Sequence, residues 1–383
     1  MAKICILGTA WPFRGGLAVY NQRLAEALSQ EGHEVCIETF TLQYPEILFP
    51  GKTQYAIWEY NGNVPILRGV NSVNPINWIL TGNRLKKERF DVLIIKYWLP
   101  FMAPCLGSIA RIVKSNQHTQ VISILDNVIP HEHRIGDKIL TRYFIKSVNG
   151  FIAMSEKVAA DLRKFDQKKH LKITPHPLYD NFGEKIDRDE ALRRLKLDPK
   201  FRYLLFFGLI RDYKGLDLLL EAMANPNIKN KPVRLIVAGE FYSESQKYYQ
   251  QIENLGIKEN VIIFPNFIPD HEVNLYFGAA DIVVQPYKSA TQSGVTQIAY
   301  HFEKPMVVTN VGGLAEIVPN GKVGYVVNVS AEEIANAIND FFTNRKTEDF
   351  LSGIREEKNK YSWDRMTETI MNLSKILKDD RKK

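Results

Sequence analysis

Short apolar runs alternate with amphipathic segments along this chain, and no other feature restricts the fold as much. Apolar runs of this kind are typical of strands buried on both faces, and their alternation with helices predicts parallel sheets covered on both sides. In the first half the predicted strands are Lys3–Leu7, Glu34–Phe40, Asp91–Lys96, Gln120–Leu125 and Gly150–Ala153, with helices such as Leu17–Gln30 and Ser155–Lys164 between them. The second half repeats the pattern with strands at Tyr203–Phe207, Arg234–Ala238, Val261–Phe264, Ile282–Gln285, Pro305–Thr309 and Gly324–Val327.

The two series predict two doubly wound α/β domains. A chain of 383 residues is longer than a single core usually supports, which is about 250–300 residues. The polar stretch Leu178–Lys200 separates the two series and is the predicted joint. Because doubly wound sheets bind ligands at the carboxyl ends of their strands, we expect the two sheets to face a ligand cleft.

Composition excludes several classes of protein. Hydrophobic residues make up 45% of the chain, which is too many for a disordered chain. The uncharged stretches Gly69–Asn83 and Tyr97–Ala110 are shorter than the roughly 18 residues of a membrane span, and charge interrupts the N-terminus too soon for a signal peptide. Three isolated cysteines (Cys5, Cys36 and Cys105) are typical of free thiols in a reducing compartment, so we expect a cytoplasmic protein.

The net positive charge of the chain lies in its first half. Residues 1–180 hold 22 Lys and Arg against 15 Asp and Glu, whereas the remainder holds 28 of each. This asymmetry indicates an anionic partner, or simply a solvated basic face. No nucleic-acid-binding motif accompanies it, which favours a phosphate-bearing substrate or an anionic membrane surface.

One segment of the first half has the composition of a membrane-surface helix. Asn77–Leu80 contains Trp78 and precedes a basic group formed by Arg84, Lys86, Lys87 and Arg89. Aromatic and basic residues together can lie on anionic lipid headgroups, although an ordinary helix with a buried Trp78 is the favoured interpretation.

Two glycine-containing turns are candidate phosphate sites. Gly15 and Gly16 precede the first helix, where backbone N–H groups and the helix dipole favour an anion. In the second half a strand ends at Gly208, and Arg211 and Lys214 follow just before a helix. Two fixed cations beside a helix N-terminus are suited to a diphosphate leaving group, whereas the alternative is a pair of solvated loop cations.

The segments FFGLIRDYKGLDLLLEA, LIVAGEFY, AADIVVQPY and KPMVVTNVGGLAEIV resemble the C-terminal half of family 4 (group 1) glycosyltransferases. The GG loop, GHEV after the first helix and YSWDRM near the end agree in order. This resemblance implies the GT-B fold, with two Rossmann-like domains that face a cleft. It assigns residues 1–180 to the acceptor side, 181–360 to the nucleotide sugar and 361–383 to a last helix, from about Trp363, that returns to the first domain.

The resemblance also implies roles for individual residues. Arg211 and Lys214 would clamp the donor diphosphate, with Gly15 and Gly16 beside the phosphates. Glu240 and the backbone around Phe267–Ile268 would lie near the nucleoside. The implied reaction moves a sugar with retention from a nucleotide-diphosphate sugar to a glycan or lipid-linked acceptor hydroxyl in polysaccharide or glycolipid biosynthesis. It needs neither a cofactor nor a metal.

The chain departs from the family where the donor sugar would bind. Family members carry two glutamates eight residues apart, and Ala290 and Ile298 occupy these positions here. Backbone N–H groups of Ser293, Gly294 and Val295 at a helix start remain available for a phosphate or hydroxyl. Gln292 or Gln297 is a candidate neutral substitute for a carboxylate.

A second departure follows the strand that ends at Leu125, where Asp126 replaces the usual histidine near the donor sugar. His131 is our candidate for hydrogen bonding to the sugar. With His133 it forms an HxH pair, but no further ligands complete a metal site. Asp187 and Asp189 match a DxD pattern, which we interpret as a solvated run without a metal.

Two alternatives to transfer remain open. The same fold could act on the donor alone as a nucleotide-sugar epimerase or as a phosphorolytic enzyme. Loss of both glutamates also admits a catalytically inactive scaffold or binding subunit, although retention of Arg211 and Lys214 favours activity.

Overall fold

The computed structural model describes residues 1–45, 53–56, 59–60, 62–130, 134–180, 182–290 and 293–382. The chain divides into two compact units. Unit 1 contains Met1–Pro177 and Ser362–Lys383, and unit 2 contains Leu178–Tyr361. The division falls at the start of the polar stretch 178–200, which belongs to unit 2.

Unit 1 is built on a seven-stranded sheet in the order β3-β2-β1-β4-β5-β6-β7, and all the pairings are parallel. Its strands are β1 (Lys3–Leu7), β2 (Glu34–Leu42), β3 (Ile66–Asn71), β4 (Val92–Tyr97), β5 (Gln120–Leu125), β6 (Gly150–Ala153) and β7 (Leu171–Ile173). Its helices are α1 (Gly16–Gln30), α2 (Pro75–Glu88), α3 (Ala103–Lys114), α4 (Asp137–Ser147), α5 (Glu156–Arg163) and the C-terminal helix (Trp363–Lys382).

The helices of unit 1 cover both faces of the sheet. Helix α1 forms the connection from β1 to β2, which runs toward the β3 edge of the sheet. Helices α2, α3 and α4 form connections that run in the opposite direction, toward the β7 edge. Because such crossovers are right-handed, α1 lies on one face and α2, α3 and α4 on the other. The C-terminal helix packs on α1, and α3 packs between α2 and α4.

Unit 2 is built on a six-stranded parallel sheet in the order β10-β9-β8-β11-β12-β13. Its strands are β8 (Arg202–Phe207), β9 (Val233–Ala238), β10 (Val261–Phe264), β11 (Ile282–Gln285), β12 (Met306–Thr309) and β13 (Gly324–Val327). Its helices are α6 (Arg188–Leu195), α7 (Leu216–Ala224), α8 (Pro226–Lys229), α9 (Gln246–Asn254), α10 (Val273–Ala279), α11 (Gly294–His301), α12 (Leu314–Ile317), α13 (Ala331–Thr343) and α14 (Thr347–Glu357).

The predicted fold class is confirmed, and every predicted strand is present within two residues of its predicted bounds. Strands β3 and β7 were not predicted. Both lie at edges of the sheet, and β7 has three residues of which none is buried. An edge strand packs against fewer neighbours, so its sequence need not form the continuous apolar run by which the other strands were recognised.

Each unit buries its own apolar core. In unit 1 the core lies between the sheet and its helices and includes Leu93, Leu106 and Phe144. In unit 2 the predicted apolar face of α7, formed by Leu216, Leu219, Leu220 and Met223, is buried in one core with residues of β8 and β9. Cys5, Cys36 and Cys105 are free thiols. In the described part of the chain, no helix is both long enough and apolar enough to cross a membrane.

Candidate functional site

The loops that follow β8 and β9 run side by side at the carboxyl edge of the unit 2 sheet. Gly239 has a φ of +150°, and a Cβ at that position would lie 2.0 Å from the carbonyl oxygen of Gly208. Only glycine therefore allows this close approach. Beyond it, Ile210 N–H donates to Glu240 O and Tyr242 N–H donates to Ile210 O. These bonds hold the segment after Gly208 in a fixed path.

A short 3-10 helix, Asp212–Lys214, then leads into α7. Gly215 at the start of α7 has a φ of +71°, and a Cβ there would lie 2.0 Å from Pro286 O. Lys288 N–H donates to Tyr213 O at 2.7 Å. These contacts fix the turn that carries Arg211 and Lys214 against the segment that follows β11.

Lys214 points back over the end of β8. Its Nζ lies 3.3 Å from the position that a Cβ on Gly208 would take, and 5.6 Å from the ring centroid of Tyr287. Burial, together with the charge of Arg211, lowers the pKa of Lys214 to about 8. In the chain as described, no carboxylate pairs with Lys214, because the nearby Asp212 and Asp217 are already paired with Lys247 and Lys288.

Arg211 precedes the same turn and is half-buried. Its guanidinium lies 5.1 Å from the ring centroid of Tyr242, which directs it along the loop after β9. No described carboxylate forms an ion pair with it either. The turn therefore presents two fixed cations, one of them with a lowered pKa, that no described carboxylate of unit 2 neutralises.

Helix α11 begins beside these cations. Ser293 is its N-cap residue but makes no capping hydrogen bond, and the first turn holds no acidic residue. The hydroxyls of Ser293 and Tyr287 lie 3.3 Å apart, and a Cβ on Gly208 would lie 3.6 Å from Val295 Cγ2. Gly208, Lys214 and the α11 N-terminus thus converge, and the first N–H groups of an uncapped helix attract an anion.

This arrangement is suited to a diphosphate. Arg211 can bind two phosphate oxygens in its planar fork, Lys214 adds a point charge, and the α11 N-terminus adds N–H donors. Negative charge that builds up on a leaving diphosphate is stabilised by donors that are already in place, without reorganisation during the reaction.

The residues expected near the nucleoside lie at the same edge of the sheet. Glu240 is buried directly after Gly239, where β9 ends. After β10, Ile268 is buried and Phe267 is half-buried. Since β9 and β10 are neighbouring parallel strands, their carboxyl ends place these residues on one side of the loop that carries Arg211.

The two positions where the family has glutamates carry buried apolar side chains. Ala290 is 8% exposed and Ile298 is 5% exposed. Gln297 is fully buried, and its amide has no hydrogen-bond partner among the described residues, so it does not present a polar group at the surface of the site. Gln292, the other candidate, lies outside the described residues.

At the carboxyl edge of the unit 1 sheet, Asp126 pairs with a partner that the sequence reasoning missed. Lys96, the penultimate residue of β4, is 2% exposed, and its Nζ lies 2.8 Å from Asp126 Oδ1. The same ammonium lies 3.3 Å from the ring centroid of Tyr20 on α1. The one sequence signal was a charged residue inside an otherwise apolar strand.

His176 completes this buried cluster. Its ring lies edge-on to Tyr20 with a centroid separation of 5.0 Å, and its Nδ1 lies 2.7 Å from Pro177 O. Since a carbonyl only accepts, Nδ1–H donates. Burial and the Lys96 charge lower the pKa of His176 to about 3.

The remaining candidates of unit 1 are dispersed. Gly15 is the N-cap of α1 with a φ of +96°, and Gly16 is the first residue of the helix. A Cβ added at Gly15 would meet no described atom within 4 Å, so its surroundings are open. His131 and His133 lie outside the described residues.

The DxD pattern has a structural use. Asp187 is the N-cap of α6, and its carboxylate accepts hydrogen bonds from the N–H groups of Asp189 and Glu190. Within the described residues, no group of three His, Cys, Asp or Glu side chains is placed to hold a metal ion.

Comparison with known families supports the resemblance on both halves of the chain. The model described as "Glycosyltransferase Family 4" matches residues 14–178, and the model "Glycosyl transferases group 1" matches residues 187–356. This chain belongs to the family 4, group 1 glycosyltransferases. The match to the second model covers Arg211, Lys214 and the start of α11.

Curated relatives are distant in sequence. An uncharacterized glycosyltransferase of Methanocaldococcus jannaschii is 24% identical over 98% of both chains. A D-inositol 3-phosphate glycosyltransferase of Thermobifida fusca is 28% identical over 82% of this chain and 77% of that protein. Spore coat protein SA of Bacillus subtilis is 24% identical, but the match spans only 52% of this chain and 55% of that protein.

Solved structures share the GT-B fold. Sucrose-phosphate synthase of Thermosynechococcus elongatus superimposes with a TM-score of 0.77 at 16% identity, over 99% of this chain and 100% of that one. HepE of Anabaena in complex with UDP gives a TM-score of 0.73 at 18% identity, over 97% and 98% of the two chains. At these identities the comparison establishes the fold.

Proposed function

We propose that this chain transfers a sugar from a nucleoside-diphosphate sugar to an acceptor hydroxyl. The observation that carries the proposal is the pair Arg211 and Lys214, which lack a carboxylate partner in the described structure and lie beside the α11 N-terminus. HepE was solved with UDP and with UDP-glucose, which makes a uridine donor the first to test.

In the proposed reaction the bond between the sugar anomeric carbon and the diphosphate oxygen breaks, and a bond to the acceptor oxygen forms. The acceptor proton passes to a phosphate oxygen of the leaving group on the same face, and the configuration is retained. Arg211, Lys214 and the first N–H groups of α11 stabilise the diphosphate as it gains charge. The cationic side chains perform the role that a metal has in other transferases, so we expect activity to persist with a chelator.

The proposed setting is polysaccharide or glycolipid biosynthesis in the cytoplasm, with a glycan or lipid-linked acceptor at the membrane surface. The family and the excess of Lys and Arg over Asp and Glu in residues 1–180 support this setting.

A scaffold function is the second candidate. The buried apolar side chains of Ala290 and Ile298, where the family has its glutamates, favour it. A scaffold would bind no nucleotide, whereas a transferase must.

A thermal-shift panel separates the two functions. UDP, GDP, ADP and CMP are tested on the wild type, on an Arg211→Ala/Lys214→Ala variant and on a Lys231→Ala control at the opposite, amino end of the unit 2 strands. A ligand at 100 times its Kd stabilises the native state by about 2.7 kcal/mol. We expect one nucleoside diphosphate to stabilise the wild type and the control but not the double variant. No stabilisation by any of them would refute the transferase and favour the scaffold.

A further inference from the structure

The helices on one face of unit 1 form a continuous surface. A Cβ on Gly82 of α2 would lie 2.9 Å from Ile112 of α3, and a Cβ on Gly107 of α3 would lie 2.9 Å from Tyr143 of α4. The two glycines let α2 and α4 approach α3 closely from either side. The outer surfaces of α2 and α4 are therefore parts of one helical face.

Helix α4 carries a regular stripe of apolar and basic side chains along its outer surface. Its members follow one another at intervals of one, three and four residues, which places them on one side of the helix. We name as the α4 stripe the residues Lys138, Ile139, Arg142 and Lys146. Ile139 is 72% exposed, and Ile135 in the turn before α4 is fully exposed.

Helix α2 adds an apolar patch at its N-terminal end. This α2 patch consists of Val73, Ile76, Ile79 and Leu80, of which Ile76 is 70% exposed and Leu80 is 65% exposed. Trp78 does not belong to it, because the Trp78 ring is half-buried and its Nε1–H donates to Asn71 O at 2.7 Å. Lys87 and Arg89 at the other end of α2 are exposed.

Few acidic side chains lie on this face among the described residues. The acidic residues on α2 and α4 are Glu88 and Asp137. Glu88 pairs with Lys3 at 2.8 Å, and Asp137 accepts a hydrogen bond from Arg134 N–H at 2.7 Å. In the described structure the basic members of the α4 stripe form no ion pair. Ile139 thus lies between Lys138 and Arg142, which have no carboxylate partner among the described residues.

This combination selects one kind of partner. The centres of protein–protein interfaces are poor in lysine, and a nucleic acid offers no apolar surface for exposed isoleucines. A helix that lies on an anionic bilayer needs both features, since its apolar side chains enter the acyl boundary while Lys and Arg contact the headgroups. We propose that the α4 stripe and the α2 patch bind the surface of an anionic lipid bilayer.

This inference deepens the proposed function, since it rests on the proposed contact with a membrane-bound acceptor and assigns that contact to named side chains. The binding itself requires no donor and no catalysis. Each Lys or Arg near an anionic surface strengthens binding by about fivefold, so removal of three cations weakens it by about a hundredfold.

The test uses the full chain with sedimented vesicles of phosphatidylcholine, alone or mixed with phosphatidylglycerol. Lys138→Gln/Arg142→Gln/Lys146→Gln removes the charges of the stripe, and Ile76→Ser/Ile139→Ser removes apolar side chains from both helices. Arg193→Gln/Arg194→Gln/Lys200→Gln is the matched control, because it removes three exposed cations from unit 2.

We expect the wild type and the control to bind the mixed vesicles but not pure phosphatidylcholine, and both α2/α4 variants to lose binding. Equal binding of the charge variant and the wild type would overturn the proposal, as would equal binding to both kinds of vesicle. A wild type that forms a dimer disrupted by Ile76→Ser/Ile139→Ser, with no vesicle binding, would assign the face to a second copy instead. Thermal shift with UDP on the same variants reports the donor site separately, so failure of either proposal leaves the other measurable.

Discussion

Each unit carries a lysine at the carboxyl edge of its sheet whose pKa is lowered by burial, and the two lysines have opposite surroundings. Lys96 in unit 1 lies 2.8 Å from a carboxylate oxygen of Asp126 and against the Tyr20 ring. Lys214 in unit 2 lies beside Gly208, Val295 and Tyr287, and has no carboxylate partner in the described structure. The first cation is balanced by the protein, whereas the second is not.

The difference separates a structural charge from a binding charge. Charges removed from water are costly unless they are paired, so an unpaired cation is retained only where something else compensates it. A substrate diphosphate would compensate the charge of Lys214. Because Arg211 adds a second positive charge beside it, the site without a bound anion is still less favourable. We therefore expect substitutions of Lys96 to reduce stability and substitutions of Lys214 to reduce ligand binding and turnover.

The largest expected effect is on turnover. Arg211→Ala/Lys214→Ala should lower kcat for glycosyl transfer by at least about 10³-fold, because loss of one preorganised donor to a developing charge typically costs 10²–10³-fold. The melting temperature should stay within a few degrees of the wild type, since two like charges are removed. Product formation from the donor identified by thermal shift is the measurement, and Lys231→Ala is the control. Turnover within tenfold of the wild type would remove both residues from the mechanism.

Substitution of Lys96, the paired lysine, should instead affect the stability of unit 1. Lys96→Met should lower its free energy of unfolding by about 3–5 kcal/mol, because the Asp126 carboxylate loses its partner in a largely buried place. All five tryptophans lie outside unit 2 (Trp11, Trp58, Trp78, Trp98 and Trp363), so tryptophan fluorescence in urea follows unit 1 selectively.

The double variant Lys96→Met/Asp126→Asn is the matched control for this pair. It should recover part of the lost stability, because no uncompensated charge remains. Lys214→Met should leave the fluorescence transition unchanged. Equal stabilities of Lys96→Met and the wild type would show that the ion pair contributes nothing to unit 1.

Acid should affect unit 1 through His176. The folded pKa of about 3 lies below the ordinary value of 6.5, so the unfolded chain binds a proton between these values and the folded chain does not. Stability is therefore lost as the pH falls below about 6.5, by up to about 1.4 kcal/mol per pH unit. Urea titrations at pH 6.5 and 5 should show a loss of about 2 kcal/mol, reduced in His176→Asn. The same loss in this variant would place the acid sensitivity elsewhere.

The smallest expected effect is the pH dependence of nucleotide binding. Diphosphate binding needs the Lys214 ammonium, whose pKa is about 8, so affinity should fall as the pH rises above that value. Between pH 7.5 and 9 we expect the Kd to rise by about tenfold in calorimetric titrations. Lys214→Arg stays charged throughout this range and should remove most of the rise. A wild-type Kd independent of pH would contradict an ammonium–phosphate contact.

The sequence was most informative where a local pattern determines structure. Central strands such as β5 and β11 were predicted with their correct bounds, because a strand buried on both faces must be apolar throughout. The sequence also predicted the turn that carries Arg211 and Lys214, and the start of α11 near Ser293. Glycines and charged residues directly after a strand have few uses in a fold other than such turns.

Contacts between residues that are far apart in the chain could not be predicted from the sequence. Lys96 and Asp126 are 30 positions apart, and only the pairing of β4 with β5 brings their side chains together. The α4 stripe was overlooked because Ile139 fits an ordinary helix equally well, and which side of α4 faces outward depends on its packing against α3.

The sequence by itself determined the two parallel sheets, the order of their strands along the chain and the family to which the protein belongs. These follow from short-range patterns of apolar residues, glycines and charges. The tertiary structure decided which charges are balanced, which polar side chains are buried and which apolar side chains are left exposed. The physical reason is that compensation and burial depend on what lies within a few ångströms in space, and neighbours in space come largely from distant parts of the chain.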